Sequence, residues 1–246
     1  MAKLISLQNG RIWKTQGAAL AHFKQMLAKY RDNEVIEDHA DHEDLIALLE
    51  RYDAVITEGP SKMGDGVDCF LRRRNAFEGF STPGFWVRRV DGSETDFSYI
   101  SAVKGEPKTN AQEFYDACRG AVGVELLAAK RRHFKTYGDL DGRVPCDLSD
   151  RLIAFDEAHI DHAYPTFGQL VLSFRAARGW QHGVPPGVLS TPADGQTTTN
   201  IIDPVVAGAF QQFHHAAAIL RIVARERNLA MAAGQRKPKV KRPVIL

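Results

Sequence analysis

Three side chains able to hold a metal or move a proton fall within four positions of this chain. They are His159, Asp161 and His162, in "AHIDHAYPTF" at residues 158–167. Asp161 and His162 are adjacent, so a regular backbone points them in different directions. A carboxylate is the oxygen ligand that Mg2+ prefers. An imidazole titrates near neutral pH, which suits a general base. Together they allow a cation to hold a phosphate while the imidazole deprotonates water. The same residues also suit a polar turn between packed elements, and an Asp-His pair alone does not separate the two readings. A second pair, His214 and His215, sits among Phe210, Phe213, Ala217, Ile219 and Leu220, which turns at least one ring toward a core.

These residues need a frame. "QGAALAHFKQMLAKY" at 16–30 spaces Leu20, Phe23, Met26, Leu27 and Tyr30 as one face of a helix. "DHEDLIALLERYD" at 41–53 predicts a second helix with Asp41 as N-cap. The runs "VDCFLRR", "GFWVRRV" and "TDFSYISAV" read as strands, the last two joined by a turn at Asp91-Gly92. Helices followed by a small antiparallel sheet make an α+β unit. "KGEPKTN" at 104–110 is the best linker, dividing the chain into domains at 1–104 and 111–246. Helical spacing returns over 111–135, where Phe114, Cys118, Val122, Leu126 and Leu127 share a face. "YGDLDGRVPCDLSD" and "QHGVPPGVLSTPADGQTTTN" are irregular. "FGQLVLSFRAARG" is a short helix stopped by Gly179. Asp203 and Pro204 open a long helix predicted to run to Asn228.

The chain has 246 residues, 44% hydrophobic and 25% charged, which is ordinary for a globular protein with a real core. No apolar run approaches the ~20 residues of a membrane span. The N-terminus lacks a signal-peptide pattern, so the expected location is cytoplasmic and no membrane partner is expected. Cys69, Cys118 and Cys146 are odd in number and widely spaced, which argues against a disulfide framework and against a zinc ribbon. The net charge of +2 hides basic blocks. These are Arg72, Arg73 and Arg74; Arg88 and Arg89; Lys130, Arg131, Arg132 and Lys135; and a tail with Arg236, Lys237, Lys239, Lys241 and Arg242. Such blocks suit a phosphate backbone, although each alone reads as solvated surface.

The run "CDLSDRLIAFDEAHIDHAYPTFGQLVLSF" resembles the first half of an HNH-type (ββα-metal) nuclease. Its pattern is a "C-x-x-[ST]-G" turn followed by "H-[IV]-D-H-x-x-P-T-F", then an aromatic-His step, "A-x-L-R" and "N-L". The later parts correspond to Phe213-His214, Ala218 to Arg221, and Asn228-Leu229. The resemblance implies a C-terminal ββα-metal domain that hydrolyses phosphodiesters with Mg2+ or Mn2+. Asp161 would hold the metal, His162 would be the base, Asn228 would orient the loop carrying it, and His214 would complete the metal site. The turn glycine is Asp150 here, and the third signature position falls near Lys237, which cannot ligate a cation while charged. Upstream, "AHFKQMLAKY", "SKMGDGVDCF" and "VRRVDGSETDFSY" at 87–99 resemble a DCL-type domain, named for a plant plastid protein implicated in ribosomal RNA maturation. The combined expectation is an endonuclease acting on nucleic acid, DNA more than RNA. Arg72, Arg73, Arg74, Arg131, Arg132, Lys237 and Lys239 would track the backbone. The alternatives are a non-catalytic nucleic-acid-binding module of HNH ancestry, and an interaction protein whose histidines complete a core.

Overall fold

The chain opens with a hairpin, β1 (Ile5–Ser6) and β2 (Ile12–Trp13), followed by α1 (Gln16–Lys29) and α2 (His39–Val55). The computed structural model describes residues 3–56, 59–77, 80–193, 199–230 and 240–246. The Thr15 hydroxyl accepts the Ala18 amide and starts α1, which buries Ala19, Phe23, Met26 and Leu27. Asp38, not Asp41, caps α2 by accepting the Asp41 amide at 2.9 Å. Three acids recur at three-residue spacing here, and burial decides between them. Asp41 is buried beneath Lys29 Nζ and the Tyr30 hydroxyl, each 2.9 Å away, so Asp38 is left to cap.

Strands β3 (Val67–Phe77), β4 (Phe80–Arg89) and β5 (Glu94–Phe97) form an antiparallel sheet in that order. Phe70, Phe85, Val87 and Phe97 pack from it into the core formed with α1 and α2. The third predicted strand stops early, because Tyr99–Lys104 is a helix, α3. The Ser98 side chain accepts the Ser101 amide, and Gly105 at φ 69° ends the helix in a conformation glycine adopts cheaply.

Next come α4 (Asn110–Tyr137), β6 (Val144–Pro145), β7 (Leu152–Ile153), β8 (Ala158–His162) and α5 (Phe167–Ala177). The long helix expected from residue 204 ends at Ala217 as α6 (Pro204–Ala217). Leu220–Ala224 is instead a strand, β9, followed by a short helix, α7 (Arg225–Ala230), and β10 (Pro243–Val244). All five residues of β9 are buried. It lies between β10 and β8 in an antiparallel sheet, so neighbours on both edges satisfy its backbone. The branched Ile222 and Val223 favour that environment over a helix.

The chain therefore mixes helices with small antiparallel sheets and divides into two compact units. One comprises Met1–Gln112 with Ser190–Thr199, and the other Glu113–Leu189 with Asn200–Leu246. Each has its own core: Phe23, Leu45, Leu48 and Phe85 in the first, and Phe114, Val122, Phe174 and Phe210 in the second. Among the described residues, no helix is long and apolar enough to cross a membrane.

Candidate functional site

Side chains alternate along β8, which puts His159 and Asp161 on one face and Ile160 and His162 on the other. The β8–β9 register sets Asp161 opposite Arg221, His162 opposite Leu220 and His159 opposite Val223. Each of the three polar residues meets a different partner.

Asp161 meets Arg221. Its Oδ2 accepts Arg221 Nε at 2.9 Å, and Arg221 Nη2 lies 2.9 Å from the same oxygen. The two side chains are 1% and 0% exposed. Burial strengthens their attraction but costs both groups their hydration, so breaking the pair is worse than never having made it.

His162 meets His214 on the opposite face of β8, with their Nε2 atoms 2.9 Å apart. One ring donates its N–H and the other accepts, which requires a neutral ring on the accepting side. The surroundings are aromatic: Phe167 lies 5.1 Å from the His162 ring, and Phe210 lies 6.2 Å from the His214 ring. Burial, and then the neighbouring charge of His215, hold the His214 pKa down to about 4. His214 thus completes an imidazole pair rather than joining Asp161 as a metal ligand. The capping box of Thr166 and Gln169 fixes the start of α5 and places Phe167 beneath the pair.

His159 meets Asn228, whose Nδ2 is 3.3 Å from His159 Nδ1. Asn228 was expected to orient His162. Its amide reaches His159 instead, on the face of β8 opposite to His162. Burial lowers the pKa of His159, reinforced by the positive charges of Arg225, Lys130 and Arg119. Lys130 Nζ donates to the Ala158 carbonyl at 2.6 Å and lies 4.1 Å from the centre of the Phe155 ring. Burial brings its pKa down to about 8, against the opposing pull of Asp156.

A divalent ion at Asp161 would lie against the guanidinium already bonded to that carboxylate, and like charges repel strongly at such range. Among the described residues, no group of three or more His, Cys, Asp or Glu side chains is arranged to hold a metal ion. The arrangement does not fit Mg2+ or Mn2+ while Arg221 stays where it is.

The expected phosphate-tracking residues fare unequally. In the first unit, Arg72 and Arg74 pair with Asp32, the latter at 2.8 Å. Arg73 pairs with Glu94 at 3.0 Å, and Arg88 Nε reaches the same carboxylate at 3.1 Å. Facing acids therefore offset much of this block. In the second unit, Arg131 and Arg132 are exposed near the end of α4. Lys237 and Lys239 lie outside the described residues.

Arg221 was missed as a site residue. A single charge inside the apolar run "ILRIVA" was its signal, because a buried arginine needs a carboxylate partner. The turn before β7 is explained too. Asp150 stands where the resembling pattern has glycine and adopts φ 56°. Its carboxylate takes Lys241 Nζ at 2.6 Å. Cys146 Sγ accepts the Ala224 amide at 3.3 Å and ties this turn to β9.

Residues 24–103 match the family described as a protein of unknown function (DUF3223). That span lies within the first unit. A solution NMR structure of an uncharacterized protein from Rhodospirillum rubrum is 34% identical, over 42% of this chain and 89% of its own, with a TM-score of 0.35. No curated protein matches the chain.

Proposed function

We propose that the second unit binds nucleic acid through its phosphate backbone and, in the conformation described, does not cut it. The observation that carries this reading is the buried Asp161–Arg221 pair. Arg221 supplies at Asp161 the positive charge that a catalytic cation would bring, in a form that cannot be displaced without leaving a buried charge alone. The sequence resemblance to HNH nucleases motivates this reading, and an antiparallel pairing of β8 with β9, with α7 following, is compatible with it. The exposed cations Arg131, Arg132 and Arg225 supply the attraction to phosphate.

A second reading, the metal-dependent endonuclease, is favoured by one observation. Asp161, His162, His214 and Asn228, spread over 68 positions, are all brought to β8, with Asp161 and Asn228 on one face and His162 and His214 on the other. It requires Arg221 to release Asp161 when a metal and a phosphodiester arrive. The endonuclease reading favours DNA, whereas the binding module fits RNA processing or DNA transactions.

Anisotropy of labelled DNA and RNA oligonucleotides, titrated with the full chain at several salt concentrations, tests the proposal. Binding is expected to weaken steeply with salt, with a log–log slope set by the number of phosphates contacted. An absence of binding to either nucleic acid at low salt contradicts both readings.

A further inference from the structure

The face of β8 opposite the imidazole pair gathers cations around a half-buried histidine. His159 projects there, across from Val223 in the β8–β9 register. Arg225 follows Val223 by two residues, and its amide donates to the Glu157 carbonyl at 2.9 Å, which keeps it alongside β8. Lys130 approaches from α4 and is anchored by its 2.6 Å bond to the Ala158 carbonyl. Arg119, also on α4, contributes only its field to His159, because its guanidinium lies 5.4 Å from the centre of the Phe167 ring, on the side of the imidazole pair. The nearby acids are engaged elsewhere: Asp161 with Arg221, Glu157 with the Ala154 amide, and Glu226 with Arg151. Asp156 acts on Lys130.

The amide of Asn228 completes the arrangement. Nδ2 lies against His159 Nδ1, while its buried Oδ1 has no hydrogen-bond partner among the described residues. With Nδ2 donating to Nδ1, the ring's proton sits on Nε2, so that N–H is a donor. An N–H donor on β8, with a lysine anchored to the preceding carbonyl and an exposed arginine whose backbone bonds the start of the same strand, is a set of donors that suits a phosphate oxyanion.

We propose that His159, Lys130 and Arg225 form a pocket for one phosphate group, with Asn228 holding the His159 ring. This rests on the nucleic-acid reading for the source of that phosphate; the grouping itself rests on the bonds that hold Lys130 to Ala158, the Arg225 backbone to Glu157, and Asn228 to His159. Asn228 acts as a positioning residue, and His159 touches the ligand.

The test is an NMR titration of the full chain, following the His159 ring resonances at fixed pH. Inorganic phosphate is used in one arm and a short oligonucleotide in another. Both are expected to move the His159 ring signals, and the oligonucleotide to compete with phosphate. Arg225→Gln and His159→Gln should each weaken phosphate binding at least fivefold. Arg31→Gln, a charge-matched change on the exposed surface of the first unit, should leave it within twofold. Equal weakening by all three variants overturns the pocket, because the attraction is then only net charge. Binding of the oligonucleotide without any His159 response also overturns it, while the nucleic-acid reading stands. Saturable phosphate binding at His159 with no oligonucleotide binding supports the pocket and removes the nucleic-acid reading. Should His159→Gln lower stability, Arg225→Gln still decides the outcome, since Arg225 is exposed.

Discussion

The His162–His214 pair should make the second unit sensitive to acid. His214 is 0% exposed, and its pKa falls from 6.5 to about 4 in the folded protein. The unfolded chain takes up a proton on this ring below 6.5, whereas the folded chain resists until about 4. The stability tied to the neutral ring is therefore complete above pH 6.5, declines as pH falls, and levels off below about 4. The gap corresponds to roughly 3 kcal/mol for one proton. His133 and His159, also lowered chiefly by burial, act in the same direction, so a single protein cannot isolate the effect. Comparison with His214→Phe can. The variant keeps the other histidines and the ring volume, and loses the titrating group. It also leaves His162 without its partner, an offset of about 1–3 kcal/mol that is already present at pH 7.5. Urea unfolding of both proteins between pH 7.5 and 4, followed by hydrogen exchange in α6, reports on the second unit alone. Wild type should lose about 3 kcal/mol more than the variant across that range. Parallel curves would refute the claim that His214 is held neutral by burial.

Three further outcomes follow from the same structure. Asp161→Asn or Arg221→Met alone should cost about 3–5 kcal/mol, and the double change much less than the sum, because each single change strands a buried partner. Single losses under about 1 kcal/mol in denaturant titrations would contradict the buried pair. Thr166→Ala should cost about 1 kcal/mol by removing the cap of α5, read as a lower Tm. Asp150→Gly should leave stability unchanged or slightly raised. Relief of φ 56° offsets the loss of the exposed pairs with Lys241 and Arg242, which water screens. A clear fall in stability would show the ion pairs to dominate.

Much of the frame was legible in the residues. The stripe of Phe23, Met26 and Leu27 gave α1, and Asp203-Pro204 gave the start of α6. The strand β9 was not legible, because "AAAILRIVA" continues a helical pattern and only the pairing with β8 and β10 converts it. That error carried into the site. With 204–228 read as one helix, Arg221 could not be placed opposite Asp161, and Asn228 could not be seen to face His159 rather than His162. Local spacing identifies groups capable of chemistry. Strand register decides which of them meet, and it is set by partners far away in the chain.

The central claim is that Arg221 holds Asp161 and that the second unit binds nucleic acid without cutting it. Supercoiled plasmid incubated with the full chain at low salt, with Mg2+ or Mn2+ and resolved on native and denaturing gels, tests it most directly. The account expects a retarded plasmid that remains supercoiled once the protein is removed. Nicked or linear product that requires the metal and disappears in His162→Ala would contradict it and establish the endonuclease.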